Sequence, residues 1–170
     1  MIPSEGNELT IWNVVLLHDL VQVGQPIHAI LTENAYSAAY AIASAADRIS
    51  VPRTGGVGSV GVITMHLDWT QRIKDDGLKV TIITFGSRKA EGSPLRELSE
   101  EAFNAIQQDI NAMGELFVNT VARNRGISAK VIKSTQAACF MAADGVDLGL
   151  ADEVCPPDAA FRHLLEKTGA

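Results

Sequence analysis

Residues 37 to 49 read Ser37-Ala38-Ala39-Tyr40-Ala41-Ile42-Ala43-Ser44-Ala45-Ala46-Asp47-Arg48-Ile49. Alanine dominates this stretch, and alanine is the strongest helix former, with a side chain small enough for neighbouring backbones to come close. We therefore predict a buried helix over residues 35–46, with Ser37 in its first turn. A short strand over Arg48–Val51 follows, and Pro52 ends it because proline cannot donate to a sheet ladder.

Outward from this stretch, helix and strand patterns alternate along the chain. Helices are predicted over residues 10–22, around residues 65–73 before Gly77, from Ser99 to Gly126, and from Ser128. Strands are predicted over residues 27–31, 48–51 and 79–85. This alternation favours an α/β fold with a largely parallel sheet layered with helices. We predict a single domain over residues 1–155 and a C-terminal tail helix over residues 156–170.

Composition narrows the class of function. The chain has 170 residues, 46% of them apolar and 20% charged, with a net charge of −6. Lysines and arginines are scattered, so we expect no nucleic-acid partner. No apolar run approaches the roughly 20 residues that span a bilayer, and no signal-peptide pattern opens the chain, so we expect no transmembrane anchor and a cytoplasmic location. The histidines and the two cysteines form no metal motif, and no cofactor is expected.

Three polar residues carry the chemistry: Ser37, Ser59 in a glycine-rich turn, and Lys89 in a polar loop over residues 86–98. A serine hydroxyl becomes a good nucleophile when a base removes its proton, and a lysine is such a base only when neutral. A free lysine has a pKa of about 10.4, and lowering that to roughly 7–8 takes burial or nearby positive charge. A second hydroxyl, such as that of Ser59, can aim the amine.

The same residues resemble a known family. The resemblance runs from about Pro26 to Val154 and rests on the stretch from Ser37, on Thr54, on Gly58-Ser59-Val60-Gly61-Val62, on Lys89 to Pro94 with Arg96, and on Gly149-Leu150-Ala151-Asp152-Glu153-Val154. Together they resemble the signal peptide peptidase A family of Ser/Lys proteases. The short form with His66 is most similar to the head-maturation (capsid-assembly) proteases of tailed phages and prophages.

The resemblance implies a role for each matching residue. Ser37 corresponds to the nucleophile, Lys89 to the general base and Ser59 to the serine that orients the lysine, while the N–H of Ala38 is an oxyanion donor. An extended polypeptide is expected to add as a strand beside the cleft. We assign its binding to three residues, namely Gly58, Val60 and Gly61.

The resemblance also implies a Clp protease/crotonase-like fold, a homo-oligomer, and capsid, scaffold or portal proteins as polypeptide substrates. In some members the lysine comes from a neighbouring subunit. Family members carry a Ser-Pro-Gly-Gly loop before the first helix that supplies a second oxyanion donor. Ser4-Glu5-Gly6-Asn7 departs from that loop, so the N-terminal part of the family domain is expected to be missing. The chain also has Ser37-Ala38-Ala39 where the family has Ser-Gly-Gly or Ser-Ala-Gly, so Ala39 replaces the last glycine of that motif.

Three alternatives stay open at this point. The first is a truncated or catalytically impaired family member that acts only in assembly. The second is a crotonase-like acyl-CoA enzyme, which shares the fold and leaves Lys89 and Ser59 unexplained. The third is an NADP-binding Rossmann unit, because residues 56–61 match G-x-G-x-x-G, although Pro52 and Arg53 interrupt the strand expected before them.

Overall fold

The computed structural model describes residues 26–168. The helix predicted over residues 10–22 and the segment Ser4 to Asn7 lie outside the described residues. The described residues form two compact units, one made of residues 26–61 together with residues 114–168, and the other made of Val62–Met113.

All strands found in residues 26–168 belong to the first unit, where they form two small sheets. One sheet is fully parallel, in the order β1 (His28–Ile30), β3 (Arg48–Val51), β6 (Glu153–Val154). The other has the order β2 (Ala35–Tyr36), β4 (Gly56–Gly58), β5 (Cys139–Met141), with β2 parallel and β5 antiparallel to β4. The predicted α/β class with a largely parallel sheet is confirmed.

Six helices occur in the same described range. They are α1 (Ala38–Ala43), α2 (Thr70–Asp75), α3 (Glu100–Arg125), α4 (Ala129–Ser134), α5 (Ala142–Asp147) and α6 (Pro157–Thr168). Helix α3 starts in the second unit and ends in the first. None of these helices is both long enough and apolar enough to cross a membrane.

The core of the first unit lies between its sheets and its helices. Its largest fully buried side chains are Tyr40, Phe117, Ile49, Ile132, Leu150, Val51, Val57 and Val121. Burying a side chain of this size contributes about 1.5–3 kcal/mol, and these residues come from five different strands and helices as well as the turn after α5. The core therefore ties chain segments that are more than 100 residues apart.

A polar network fastens β6 to β3 on the parallel sheet. Arg48 donates from Nη2 to Oε2 of Glu153 at 2.6 Å, and the buried Ser50 hydroxyl donates to Oε1 of Glu153 at 2.5 Å. Since that proton is engaged, Nε2 of His28, 2.7 Å from Ser50 Oγ, is the donor of its pair. The hydrogen bonds from Arg48, then Ser50, hold the pKa of the Glu153 carboxyl at about 2, below the ordinary value of 4.5.

Predictions that rest on local signals are confirmed. The strand at Arg48–Val51 has the predicted bounds, and β1 lies within the predicted 27–31. Ser99 Oγ accepts from the N–H of Ala102 at the start of α3, and Ser128 Oγ accepts from Val131 at the start of α4. Gly126 follows α3 with a positive φ of 65°, a helix ending that favours glycine.

Three predicted elements need correction. The helix predicted over residues 35–46 is shorter, because its first residues form β2, which pairs with β4. The helical pattern of residues 65–73 yields only α2. The strand predicted over residues 79–85 does not form, since no backbone hydrogen bond joins it to another described segment, and Ile83 and Phe85 are exposed. A β-branched sequence becomes a strand only when another strand pairs with it.

Replacing Glu153 with Gln tests the network between β3 and β6. Glu153→Gln should lower the free energy of unfolding at pH 7 on the order of 1–3 kcal/mol, because a charged acceptor of two hydrogen bonds is lost. The folded pKa lies below the unfolded one, so this stabilisation is present above about pH 4.5 and is lost as the pH falls toward 2. Urea unfolding at pH 7, 5 and 3 should show the difference between the two proteins shrinking with pH.

The exposed carboxylate of Glu166 on α6 supplies the matched control. Glu166→Gln should change the free energy of unfolding by less than about 0.5 kcal/mol at each pH. A Glu153→Gln penalty that is equal at pH 3 and pH 7 would contradict the ionised network.

Candidate active site

Ser37 lies at a sharp turn between a strand and a helix. It follows β2 directly and takes the N-cap position of α1, so it precedes the first helical turn in which it was predicted to lie. Its backbone has φ 52° and ψ −121°, a left-handed conformation that non-glycine residues rarely adopt. Such strain costs about 1–3 kcal/mol and clusters at functional sites. The side chain that this turn presents is exposed.

The strand beside β2 holds this turn in place. The N–H of Ser37 donates to the carbonyl of Gly58 at 2.9 Å, and Ala35 and Tyr36 pair with Val57 and Gly58. Since β4 lies between β2 and β5, both edges of Gly58 are already occupied. Gly58 has φ 113°, and a Cβ there would lie 2.8 Å from the carbonyl oxygen of Ala138, so only glycine fits. Gly58 therefore supports Ser37, and its assignment to substrate binding stays a prediction.

Ser59 follows Gly58 at the end of β4. The carbonyl that accepts the Ser37 N–H therefore belongs to the peptide unit that joins Gly58 to Ser59. Its N–H donates to the carbonyl of Ala138 at 2.9 Å, and its φ of 56° is also positive. The side chain is partly exposed, whereas Val60 beside it is buried. The structure thus brings Ser37 and Ser59 together at the carboxyl ends of two parallel strands.

Helix α1 is fixed at its far side by buried hydrogen bonds. The phenol of Tyr40 donates to the carbonyl of Leu150 at 2.8 Å, and burial raises the pKa of that phenol. Ser44 Oγ donates to the carbonyl of Ala41 and accepts from Asn124 at 3.1 Å. Because Ala38 is the first helical residue, its N–H has no acceptor within the helix. Since the Ser37 N–H is bonded to Gly58, the Ala38 N–H is the next backbone donor along the chain from the Ser37 hydroxyl.

Lys89 lies in the second unit, in a segment of turns between α2 and α3. The Lys89 N–H donates to the carbonyl of Gly86 at 3.2 Å, and its side chain is exposed. Next to it, Arg88 pairs with Glu91 at 2.9 Å, and this hydrogen bond raises the pKa of the Arg88 guanidinium. Ser37 belongs to the first unit, and the meeting of Lys89 with Ser37 stays a prediction.

Sequence reasoning missed one part of this region, the turn over residues 135–138 that precedes β5. Gln136 and Ala137 have φ values of 50° and 58°. Neither residue type signals a left-handed backbone, because asparagine, aspartate and glycine are the residues that favour it. No motif in the sequence pointed to this turn.

Two substitutions at Ser37 measure the strain of its backbone. Ser37→Gly should unfold with a free energy about 1 kcal/mol higher than Ser37→Ala, because glycine adopts φ 52° without a Cβ clash. Ser134, in the ordinary backbone of α4, serves as the control position. There the order should reverse, with Ser134→Gly about 1 kcal/mol less stable than Ser134→Ala. Denaturant unfolding of the four variants gives both differences, and the same order at both positions would contradict the strain.

Comparison with known proteins places the chain in a family. The family model described as "Peptidase family S49" matches residues 19–170. The "Head-tail preconnector protein GP5" of Enterobacteria phage P21 is 34% identical over 76% of this chain and 26% of its own length. The "Capsid assembly protease C" of Escherichia phage lambda is 32% identical over 76% of this chain and 30% of its own length.

The chain thus spans less than a third of the length of these two relatives. Among solved structures, a peptidase from Plasmodium falciparum superposes with a TM-score of 0.46 at 14% identity, covering 85% of this chain and 66% of that one. The family match covers most of the chain and includes Ser37, Ser59 and Lys89. This chain belongs to peptidase family S49.

Proposed function

We propose that this protein is a serine endopeptidase in which Ser37 is the nucleophile, Lys89 the general base and Ser59 the residue that orients the lysine. The observation that carries the proposal is the strained Ser37 turn, bonded through its N–H to Gly58, one residue before Ser59. Membership of a peptidase family supports the same reading.

The proposed reaction has two halves. In the first, Ser37 Oγ attacks the carbonyl carbon of a peptide bond as the neutral Lys89 amine takes its proton, and the Ala38 N–H donates to the oxyanion. The C–N bond then breaks, and the Lys89 ammonium returns the proton to the leaving amine. In the second half, a water molecule loses a proton to Lys89 and attacks the acyl carbon. The bond between that carbon and Ser37 Oγ then breaks, the Lys89 ammonium returns the proton to Ser37 Oγ, and the acid leaves. The peptide is hydrolysed without net change in the protein.

The proposed substrate is a polypeptide of a phage or prophage head, such as a capsid, scaffold or portal protein. The relative named "Capsid assembly protease C" supports this setting. We further propose a homo-oligomer. The second unit exposes several large apolar side chains that contacts between subunits would bury: Ile63, Met65, Ile83 and Phe85.

A second candidate is an assembly role without catalysis. The relative named "Head-tail preconnector protein GP5" favours it, because that name describes a structural part and not a reaction. Ser37 and Ser59 then serve only to shape the end of the sheet. The two candidates differ in whether the Ser37 hydroxyl reacts.

Covalent labelling with a peptidyl phosphonate separates the two candidates. The phosphonate should form an ester with Ser37 in the unmodified chain, whereas Ser37→Ala should give no adduct in intact mass spectrometry. Lys89→Ala should slow labelling on the order of 10²-fold or more, since general-base catalysis contributes roughly 10²–10⁴. Lys79→Ala, which removes an exposed lysine of the same unit, should label at the unmodified rate.

Absence of any Ser37 adduct in the folded protein favours the assembly role and removes the hydrolase proposal. Full labelling of a folded Lys89→Ala variant would keep Ser37 as nucleophile and reject Lys89 as its base.

The dependence of the labelling rate on pH tests the chemical nature of the base. Only the neutral amine accepts a proton, so the rate should rise about tenfold per pH unit on the acid side of the profile and then level off. Measurement from pH 5 to pH 10 should place the midpoint on the alkaline side of 7. A flat profile, or a midpoint near 6.5, the ordinary range of histidine, would contradict the lysine.

A further inference from the structure

Within the described part of the chain, the non-glycine residues with positive φ lie close together. Among residues 26–168, the non-glycine residues with positive φ are Ser37, Ser59, Gln136 and Ala137. Ser37 follows β2 and Ser59 follows β4, while Gln136 and Ala137 precede β5. Because β2 and β4 are parallel and β5 is antiparallel to them, all four residues lie at the same end of one sheet.

The turn over residues 135–138 contacts the Ser59 segment at two points. The carbonyl of Ala138 accepts the Ser59 N–H at 2.9 Å. Two residues on, a Cβ built on Gly61 would lie 2.6 Å from the Cβ of Ala137, so the two backbones are as close as a glycine allows. Ser59 therefore lies between two fixed contacts, one polar and one steric.

The turn is itself anchored to the core. The N–H of Ala138 donates to the carbonyl of Thr135 at 3.0 Å, and the Thr135 hydroxyl donates to the carbonyl of Ile132 at 2.7 Å. Ile132 is buried in the core of the first unit. Both the backbone N–H and the side-chain amide of Gln136 donate to the carbonyl of Lys133, at 3.1 Å and 2.8 Å. A displacement of the turn therefore requires breaking several hydrogen bonds at once.

We propose that the turn over residues 135–138 is the third part of the active site, and that Ala137 is a positioning residue that fixes Ser59 relative to Ser37. This inference rests on the proposed function, because Ser59 matters to catalysis only if it orients a lysine. Ala137 touches no reacting atom in this proposal. It acts through the backbone of residues 59–61, and the strain of two consecutive left-handed residues, about 1–2 kcal/mol each, is the cost of that placement.

A double-mutant cycle between Gly61 and Ala137 tests the steric contact. Gly61→Ala places a methyl group against the Ala137 methyl, which should displace the backbone of residues 59–61. The rate of Ser37 labelling by the phosphonate should fall about tenfold or more, because small displacements in an active site lower the reaction rate strongly. Ala137→Gly removes the opposing methyl, so the double variant should label within about threefold of Ala137→Gly alone. Gly114→Ala, with no neighbouring atom within 4 Å of the added methyl, is the matched control and should not change the rate.

The pH profile distinguishes positioning from a general structural role. Ala137→Gly relaxes a strained φ, so the free energy of unfolding should not fall by more than about 0.5 kcal/mol. Its labelling rate should nevertheless fall about threefold, and the midpoint of its pH profile should move upward, because a loosened Ser59 holds the neutral amine less firmly. A purely structural residue has no reason to move that midpoint.

Hydrogen exchange at the Ser59 amide measures the same contact without chemistry. Exchange of that amide should be faster in Ala137→Gly than in the unmodified chain, and unchanged in Gly114→Ala. If labelling is normal and neither the rate nor the midpoint responds to Ala137→Gly, or if Ala137→Gly does not rescue Gly61→Ala, the positioning role is wrong. If the unmodified chain is never labelled at Ser37, the proposed function fails, and the catalytic role of the turn fails with it.

Discussion

The hydrogen bond from the Ser37 N–H to the carbonyl of Gly58 is the constraint on which the site depends. It joins Gly58, the last residue of β4, to Ser37, which begins the turn from β2 into α1. It also stabilises a positive φ that serine rarely adopts. Two backbone hydrogen bonds hold the positive φ of Ser37: this one, and the bond from the Ala41 N–H to the Ser37 carbonyl at 2.9 Å. Of the two, the bond to Gly58 is the one that reaches another strand. Loss of the bond to Gly58 would therefore weaken the attachment of the Ser37 turn to β4.

The sheet around Gly58 in turn stabilises this hydrogen bond. Gly58 lies in β4, the central strand of the sheet β2-β4-β5, which is paired on both sides. A side chain at this position would collide with the carbonyl oxygen of Ala138, so the position requires glycine. Parallel pairing brings the carboxyl ends of β2 and β4 to one edge, which is where open α/β sheets place their sites. An antiparallel third strand adds its own beginning to that edge. The topology therefore assembles three turns at one end of the sheet.

Sequence patterns predicted the helix caps and strand ends that interactions between neighbouring residues determine. Ser99 and Ser128 cap helices through bonds that span three residues, and the strand at Arg48–Val51 has a clear stop in Pro52. Residues 79–85 carry an equally clear strand composition, yet the described residues supply no strand to pair with them. The positive φ of Ser37 follows from its bond to a residue in another strand, which no local signal encodes. Ser37, Ser59 and Lys89 were recognised by resemblance, because their spacing matches a family pattern.

The free-energy cost of the strained turns couples the stability of the core to the backbone geometry of the candidate site. Between residues 26 and 168, four non-glycine residues have positive φ. At about 1–3 kcal/mol each, their strain is a large share of the roughly 5–15 kcal/mol by which proteins of ordinary stability stay folded. Buried hydrogen bonds of Tyr40 and Ser44 anchor the helix α1 that follows Ser37. The carbonyl of Ile132 accepts a hydrogen bond from Thr135 and so anchors the turn before β5. These buried groups are separate from the Ser37 hydroxyl, and they support the backbone that carries the two serines. A core substitution in this protein therefore acts on the site through backbone strain, even where every polar side chain of the site is intact.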